Sequence, residues 1–216
     1  KLGTRQVDDV QLGLVGEHNL KSAVAAAGVA TMMGVPNATI KKQLATLKPM
    51  AGRMQLIRGK NGSTIIDDTY NASPQAVKAA LQTLYGLPKS GRKIAVLGSM
   101  NELGATSQRA HQQIGRDCDR GHLDQVITIG REAAQYLAPA ATAAGCQVES
   151  FLSPYAAGRY LARRLQKGDI VLAKGSQNGV FAEEAVAQLL ASSQDKVKLV
   201  RQGGNWPQIK ARQFHI

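Results

Sequence analysis

Three uninterrupted apolar runs constrain the fold of this chain more than any other feature of its sequence. They read KIAVLG from residue 93, QVITIG from residue 125 and DIVLAKG from residue 169, and each ends at a glycine. Short runs without polar alternation are typical of strands that are buried on both faces. Segments with helical spacing lie between them, and this alternation predicts a parallel sheet. We therefore expect an α/β fold in which helices cover both faces of a mostly parallel sheet.

The alternation of strand and helix extends over most of the chain after residue 53. Apolar or alternating runs predict strands at 54–58, 63–67, 93–98, 125–129, 147–151 and 169–173. Apolar residues at helical spacing predict helices near 74–85, 107–119, 131–138, 154–166 and 179–192. Aromatic residues make up only 4% of a chain that is 44% hydrophobic, so we expect a core of aliphatic side chains.

The first part of the chain has a mainly helical pattern. Residues 10–15 alternate in polarity, which predicts a short strand. Asn19 follows and is predicted to cap a helix, because its side chain can accept hydrogen bonds from free backbone amides. A second helix is predicted from a cap at Asn37 to about Leu47.

Breaks in composition divide the chain. The stretch KPMAGR at 48–53 contains proline and glycine, which indicates a connection between domains. We therefore predict one domain over residues 1–50 and a second over 51–200. Residues 201–216 show no clear element, so we expect a terminal arm there.

The predicted sheet also indicates where a ligand would bind. Ligands of open parallel sheets bind outside the carboxyl ends of the strands. This rule points to three loops, at 67–74, 98–106 and 174–180. The first loop lies in STIIDDTYNASPQAV, where a strand ends on Asp67 and Asp68. Their side chains should point to opposite faces, so one carboxylate can serve structure and the other a ligand. Two roles stay open, namely capping the helix that starts near Pro74 and accepting hydrogen bonds from a ribose.

The net charge and the apolar runs limit the classes of partner. The formal net charge is +12, which suits either solubility or an anionic partner such as a nucleotide or a phosphorylated substrate. The basic residues are spread along the chain without interleaved aromatics, so we expect no nucleic-acid partner. No apolar run approaches the roughly 20 residues of a membrane span. The two cysteines lack metal or redox spacing, which favours a cytoplasmic location.

Several motifs are absent from the sequence. There is no G-x-x-x-x-G-K-[ST], so the cradle for any nucleotide triphosphate lies outside these residues. There is no G-x-G-x-x-G, and the four scattered histidines predict no metal site. We interpret His111 as a structural histidine. Because the chain begins with Lys1 in mid-pattern, we expect it to be a fragment of a longer protein.

Five motifs occur together in order. They are GEHNLKSAVAAAGVATMMGV, AGRMQLI, DDTYNASPQAVKAAL, VLGSMNELG with a later His and Ile-Gly, and VLAKGS. In this order and spacing they resemble the C-terminal part of the Mur ligase family. DDTYNASP resembles in particular the MurF type, the UDP-N-acetylmuramoyl-tripeptide:D-alanyl-D-alanine ligases. The resemblance covers about residues 10–192.

The resemblance implies an architecture and a reaction. Residues 1–50 would end a central ATPase domain, and a Rossmann-like C-terminal ligase domain would follow. The P-loop, the Mg²⁺ ligands and the UDP site would lie upstream. The implied enzyme is an ATP-dependent amide ligase of peptidoglycan precursor synthesis, which adds D-Ala-D-Ala to UDP-N-acetylmuramoyl-tripeptide through an acyl phosphate. We expect a monomer, with ATP and Mg²⁺ as cofactors, and we expect the isolated chain to be inactive.

The resemblance also implies roles for individual residues. The implied ATP contacts are His18 and Asn19 near the adenine, Arg53, and Asp68 at the ribose. The implied substrate contacts are Tyr70, Asn71, Ser73, Lys174 and Ser176. Asp67 is then interpreted as structural, and no catalytic residue or metal ligand is assigned within this chain.

Three positions depart from the MurF-type pattern. Ser99 stands where the pattern has the Asp of GDM, Gln177 where it has the Arg of KGSRS, and Ser73 where it has the last Asn of YNAN. The identity of the added amino acid or dipeptide therefore stays open. Two other readings also stay open: a non-catalytic Mur-ligase-like binding module that needs a partner, and another ligase of the superfamily, such as a folylpolyglutamate or cyanophycin synthetase.

Overall fold

The computed structural model describes residues 10–215. The chain divides into two compact units, Lys1–Met50 and Ala51–Ile216. The division falls inside the stretch 48–53, where the sequence predicts a connection between domains. The assignment of the first unit to an ATPase domain stays a prediction.

The described part of the first unit is helical. It contains α1 (Glu17–Met32) and α2 (Asn37–Ala45). The strand predicted at residues 10–15 is wrong, because these residues form no regular element. No other described segment of this unit is a strand either, so the alternating pattern has no partner with which to pair.

The two predicted helix caps are also wrong. The N-cap of α1 is Gly16, whose φ of 99° suits glycine, and Asn19 lies within the first turn. The Asn19 side-chain amide instead donates a hydrogen bond back to the carbonyl of Val15, at 2.7 Å. In α2 the N-cap is Pro36, and Asn37 is the first helical residue.

The second unit contains a six-stranded sheet. Its strands are β1 (Gln55–Arg58), β2 (Thr64–Asp68), β3 (Lys93–Gly98), β4 (Gln125–Ile129), β5 (Val148–Phe151) and β6 (Ile170–Lys174). Their order across the sheet is β1-β2-β6-β3-β4-β5. The edge strand β1 runs antiparallel to β2, and the other neighbouring pairs are parallel. All six predicted strands are therefore confirmed, with ends that differ by at most one residue.

In the described part of the second unit, four helices connect strands, and two more follow the last strand. They are α3 (Pro74–Gly86), α4 (Ser107–Asp117), α5 (Ala138–Ala143), α6 (Pro154–Ala162), α7 (Ala182–Leu189) and α8 (Trp206–Phe214). A π-helical turn at Ala133–Leu137 leads into α5, so this helical segment extends beyond its predicted end at residue 138. By contrast, α6 and α7 are shorter than predicted.

Helices cover both faces of the sheet, which confirms the predicted fold class. On one face, Ile94 and Val96 of β3 pack in a buried cluster with Leu161 of α6 and Val186 of α7. The intervening Leu97 points to the opposite face because strand side chains alternate, and it is 1% exposed. There α3 contacts β6, and α5 contacts β4. The core is aliphatic, as the composition indicates.

The C-terminal segment packs on the second unit, so the predicted terminal arm is wrong. Helix α8 places Trp206 and Phe214 against the ring of Phe181, with centroids 6.0 and 6.2 Å apart. Lys210 of the same helix is buried and forms an ion pair with Glu184 at 2.6 Å. These contacts join distant parts of the chain, so no local pattern in residues 201–216 predicts them.

Candidate active site

The three loops that the sequence predicts as a ligand site do lie together. Ser176, just after β6, donates a hydrogen bond from Oγ to the carbonyl of Ala72, at 3.2 Å. The same oxygen accepts a hydrogen bond from the amide of Asn101 at 2.9 Å. The Ser176 amide donates to the carbonyl of Ser99 at 3.2 Å. One buried serine therefore links the carboxyl ends of β2, β3 and β6.

Glycines allow two of these strand ends to approach closely. A Cβ atom on Gly98 would lie only 3.0 Å from the Cα atom of Gly175. A Cβ atom on Gly175 would crowd Val180 Cγ1 at 2.9 Å and Ala182 Cβ at 3.0 Å. The glycines that end the runs of β3 and β6 therefore have a packing role.

An ion pair between neighbouring strands lies at the centre of the site. Lys174 of β6 is the register partner of Asp68 of β2, and its Nζ lies 2.6 Å from Asp68 Oδ2. Asp68 Oδ1 accepts a hydrogen bond from the amide of Met54 at 3.2 Å. Lys174 Nζ also donates to the carbonyl of Asn71 at 2.9 Å. Burial lowers the pKa of Lys174, and the Asp68 carboxylate opposes this shift. The pair fixes the orientation of the Asp68 carboxylate at the start of the loop.

The adjacent carboxylate, Asp67, has no cationic partner among the described residues. Its Oδ1 accepts hydrogen bonds from Thr69, from Oγ1 at 2.6 Å and from the amide at 3.2 Å. Its Oδ2 is buried without a hydrogen-bond partner in the described part of the chain. Burial raises the pKa of Asp67 to about 6, and the charge of Glu183 adds to the rise. These contacts agree with the interpretation of Asp67 as structural.

Arg53 and Tyr70 form a stacked pair on the surface of the site. The guanidinium carbon of Arg53 lies 4.2 Å from the centroid of the Tyr70 ring. Tyr70 is 42% exposed, and Arg53 is exposed as well. Arg53 forms no ion pair within residues 10–215, so its charge is available to an anion.

The remaining two predicted loop residues have local structural roles. The Asn71 side-chain oxygen accepts a hydrogen bond from the amide of Ala72 at 2.8 Å. Ser73 is the N-cap of α3, where its Oγ accepts from the amide of Ala76 at 3.4 Å, and Pro74 follows at the first helical position. Ser73 is exposed and Asn71 is half-buried. Helix capping here therefore involves Ser73 and neither Asp67 nor Asp68.

His111 is structural, as the sequence analysis interprets it. It is fully buried, and its Nε2 accepts a hydrogen bond from the amide of Met100 at 2.9 Å. Its Nδ1 lies 2.9 Å from the carbonyl of Ser107, which makes Nδ1 the protonated nitrogen. These two contacts let His111 anchor the loop after β3. The nearby Ser99 is buried too, and its Oγ accepts a hydrogen bond from the amide of Ala133 at 3.1 Å.

Two residues of the site were not predicted from the sequence. The side-chain amide of Asn101 donates to the carbonyls of Gln177 and Asn178, at 2.8 and 2.6 Å. The guanidinium of Arg201 donates to the carbonyls of Thr69 and Tyr70, at 2.6 and 3.0 Å. Arg201 lies more than 130 positions from the loop it contacts, so only the tertiary fold brings the two together.

His18 and Asn19 lie in the first unit, apart in sequence from these loops. The side chain of His18 lies outside the described part of the structure. Asn19 is half-buried and uses its side-chain amide to bind the carbonyl of Val15. Their role near an adenine stays a prediction.

The described residues provide no metal site. Within residues 10–215 no group of three or more His, Cys, Asp or Glu side chains could hold a metal ion. Within the described residues, therefore, no such cluster fits Mg²⁺. In the same range, no helix combines the length and the apolar surface that crossing a bilayer requires.

Residues 52–177, which contain all six strands and all three site loops except the last residues of the third, match the family described as "Mur ligase, glutamate ligase domain". The chain belongs to the Mur ligase family. The match covers more than half of the chain and begins one residue after the division between the two units.

Individual Mur ligases agree with this result. The chain is 33% identical over 187 residues to the UDP-N-acetylmuramoyl-tripeptide–D-alanyl-D-alanine ligase of Bacillus subtilis. That match covers 83% of this chain but only 39% of the relative. A crystal structure of MurF from Acinetobacter baumannii aligns with a TM-score of 0.73 at 31% identity, over 82% of this chain and 39% of that one. The MurF ligase of Thermotoga maritima in complex with ADP aligns with a TM-score of 0.70 at 29% identity, over 88% and 41%. The chain thus spans about two fifths of the length of these Mur ligases.

Proposed function

We propose that this chain is part of an ATP-dependent amide ligase of the MurF type. The complete enzyme would add D-Ala-D-Ala to UDP-N-acetylmuramoyl-tripeptide in peptidoglycan precursor synthesis. The observation that carries the proposal is the Asp68–Lys174 pair at the meeting point of three loops, inside the segment that matches the Mur ligase domain. The Bacillus subtilis relative, a UDP-N-acetylmuramoyl-tripeptide–D-alanyl-D-alanine ligase, supports the choice of substrates.

Two residues of the first proposed half-site, Arg53 and Asp68, would bind the nucleotide. Arg53 offers an exposed guanidinium without a carboxylate partner in the described chain, which suits a phosphate group. Asp68 would accept hydrogen bonds from the ribose, because each of its oxygens has one protein donor and keeps further acceptor capacity. The ADP complex of the Thermotoga maritima MurF supports nucleotide binding as a family property. His18 and Asn19 would contact the adenine.

The second proposed half-site would bind the amine-bearing substrate. We assign to it the residues that the sequence resemblance implies: Tyr70, Asn71, Ser73, Lys174 and Ser176. Buried hydrogen bonds fix the side chains of Lys174 and Ser176 against the loop at residues 67–74. Such fixed groups favour catalysis by positioning, since they lose little conformational entropy when substrate binds.

The proposed reaction has two steps. ATP supplies the γ-phosphoryl group: the tripeptide carboxylate attacks it, ADP leaves, and an acyl phosphate forms. The amine of D-Ala-D-Ala then attacks the acyl carbon, phosphate leaves, and the amine gives up a proton. Within this chain the contribution is to hold the reactants and to offset negative charge with Arg53. Mg²⁺ ligands would have to come from another part of the protein.

A ligation assay of the complete natural protein tests this proposal. The protein would be given ATP, Mg²⁺ and UDP-N-acetylmuramoyl-tripeptide, together with D-Ala-D-Ala, D-Ala or L-glutamate in separate reactions. We expect ADP release and a product of the expected mass with D-Ala-D-Ala. A folded protein that gives no product with any amine would favour the non-catalytic binding module. A further reaction would offer a folate acceptor with L-glutamate, and ligation there would favour the folylpolyglutamate alternative.

A further inference from the structure

The guanidinium of Arg201 joins the C-terminal segment to the loop that follows Asp68. It donates to the carbonyl of Thr69 at 2.6 Å and to that of Tyr70 at 3.0 Å. It also forms a bidentate pair with Glu183 of α7, with contacts of 2.9 and 2.7 Å. The Arg201 side chain is only 7% exposed, so solvent screens these bonds little.

Lys210 holds the backbone of Arg201 and shares its carboxylate partner Glu183. Lys210 of α8 donates to the carbonyl of Arg201 at 2.7 Å. The same ammonium contacts Glu183 at 3.0 Å and Glu184 at 2.6 Å. The buried cations of Arg201 and Lys210 therefore face the buried carboxylates of Glu183 and Glu184, and the two positive and two negative charges balance. The backbone of Arg201 has a φ of 54°, a conformation that a non-glycine residue keeps only where its surroundings fix it.

The loop is fixed on its other side as well. The amide of Tyr70 donates to the carbonyl of Gly52 at 3.0 Å. Gly52 has a φ of 66°, and a Cβ atom there would lie 3.0 Å from Val200 Cγ1, so the C-terminal segment packs against this turn too. The backbone between Asp68 and Asn71 is thus held by Gly52, Arg201 and Lys174 together.

We propose that Arg201 is a positioning residue for the nucleotide half-site. It acts through the Thr69 and Tyr70 carbonyls, which set where the Asp68 carboxylate stands and where the Tyr70 ring supports Arg53. The inference rests on the proposed function and extends it, because it makes the C-terminal segment part of the support of the ATP contacts. No charged atom of Arg201 is free to touch substrate, since its nitrogens are used by Glu183 and the loop.

Steady-state kinetics of the complete natural protein with Arg201→Lys test the inference. Lysine keeps the charge, but one ammonium cannot bridge the carboxylate and both carbonyls. We expect the KM for ATP to rise about tenfold, which corresponds to one lost charge-assisted hydrogen bond. We expect kcat to fall less than about threefold. We expect the KM for the UDP-linked substrate to stay within about twofold, since no residue of this loop is assigned to that substrate.

Arg92 provides a matched control at the other end of the sheet. Its guanidinium pairs with Asp169 at 2.6 Å and donates to the carbonyl of Arg164 at 2.6 Å. Arg92→Lys therefore removes a comparable set of bonds far from the site. We expect it to lower the thermal midpoint about as much as Arg201→Lys and to leave the KM for ATP unchanged.

The outcomes separate the inference from the function on which it rests. If the unmodified protein turns over and Arg201→Lys only lowers the thermal midpoint or the active fraction, with an unchanged KM for ATP, Arg201 is merely structural and the inference is overturned. The same holds if Arg92→Lys raises the KM for ATP equally. If the unmodified protein shows no ATP-dependent ligation, the proposed function fails and this role fails with it.

Discussion

Two adjacent carboxylates in one strand have different surroundings because the strand sends them to opposite faces. Asp68 meets the ammonium of Lys174, whereas Asp67 meets only the hydroxyl and amide of Thr69. Burial raises the pKa of Asp67 to about 6, so the Asp67 carboxyl group ionises at a higher pH in the folded chain than in the unfolded chain. The two residues therefore respond differently to pH and to substitution.

Asp67→Asn should stabilise the chain at neutral pH. Below the unfolded pKa of about 4 both states hold the proton, and Asp67 makes no difference. Between about 4 and 6 the folded state keeps a proton that the unfolded state releases, so stability falls as pH rises through this window. Above it the charged Asp67 lowers the free energy of unfolding by about 2–3 kcal/mol, which Asn would restore. Urea unfolding of the 216-residue chain at pH 7.5 and 4.5 measures this.

Glu149→Gln is a suitable control for the Asp67 experiment. Glu149 is exposed on β5, so its substitution should change the free energy of unfolding by less than about 0.5 kcal/mol at both pH values. A gain for Asp67→Asn that is larger at pH 7.5 than at pH 4.5 is expected. A loss of stability of equal size at both pH values would contradict the assigned origin of the shift.

A second residue-scale prediction concerns the buried ion pair. Lys174→Met leaves the Asp68 carboxylate without its cation, and Asp68 is only 6% exposed. We therefore expect the free energy of unfolding to fall by about 3–5 kcal/mol. The double variant with Asp68→Asn removes the stranded charge and should regain about half of that loss. Urea unfolding of the four proteins of this cycle at pH 7.5 gives the coupling energy. Additive losses would show that the two side chains do not interact.

At the scale of elements, the strands follow directly from the sequence and the helix ends do not. Apolar runs buried on both faces leave few other assignments, so the ends of β3, β4 and β6 lie within one residue of their predictions. The alternating pattern at residues 10–15, by contrast, forms no strand. The limits of α7 depend on Phe181, which starts the helix from a left-handed φ of 49° while its ring packs under α8. No local pattern specifies such a start, and the predicted helix at 179–192 is accordingly too long.

The cap of α3 allows a prediction at this scale. Ser73→Ala removes the acceptor for the amide of Ala76, a long hydrogen bond of 3.4 Å, so we expect a loss of about 0.5–1 kcal/mol in the free energy of unfolding. Ser73→Asp keeps an acceptor and places a negative charge at the helix N-terminus, so it should retain full stability. Thermal unfolding of the 216-residue chain compares the two. Equal losses would mean that the capping bond is not what stabilises this turn.

At the scale of the molecule, topology determines which parts of the site the sequence can reveal. The carboxyl-end rule identifies the loops that carry Asp68, Asn101 and Lys174, because parallel strands deliver all three to one edge of the sheet. The same rule does not identify the support from Arg201 and Lys210. That support depends on α8, which follows the last strand and packs near the site.

The central claim is that Asp68, and not its neighbour, serves the nucleotide. The most direct measurement is kcat/KM for ATP in the complete natural protein with Asp68→Asn, beside the matched variant Asp67→Asn, with circular dichroism to verify that both fold. We expect Asp68→Asn to lower kcat/KM by about 100-fold, as the loss of a charge-assisted contact to ribose and of the Lys174 pair implies. We expect Asp67→Asn to stay within about threefold of the unmodified protein. Equal losses in the two folded variants, or no loss in Asp68→Asn, would contradict the assignment.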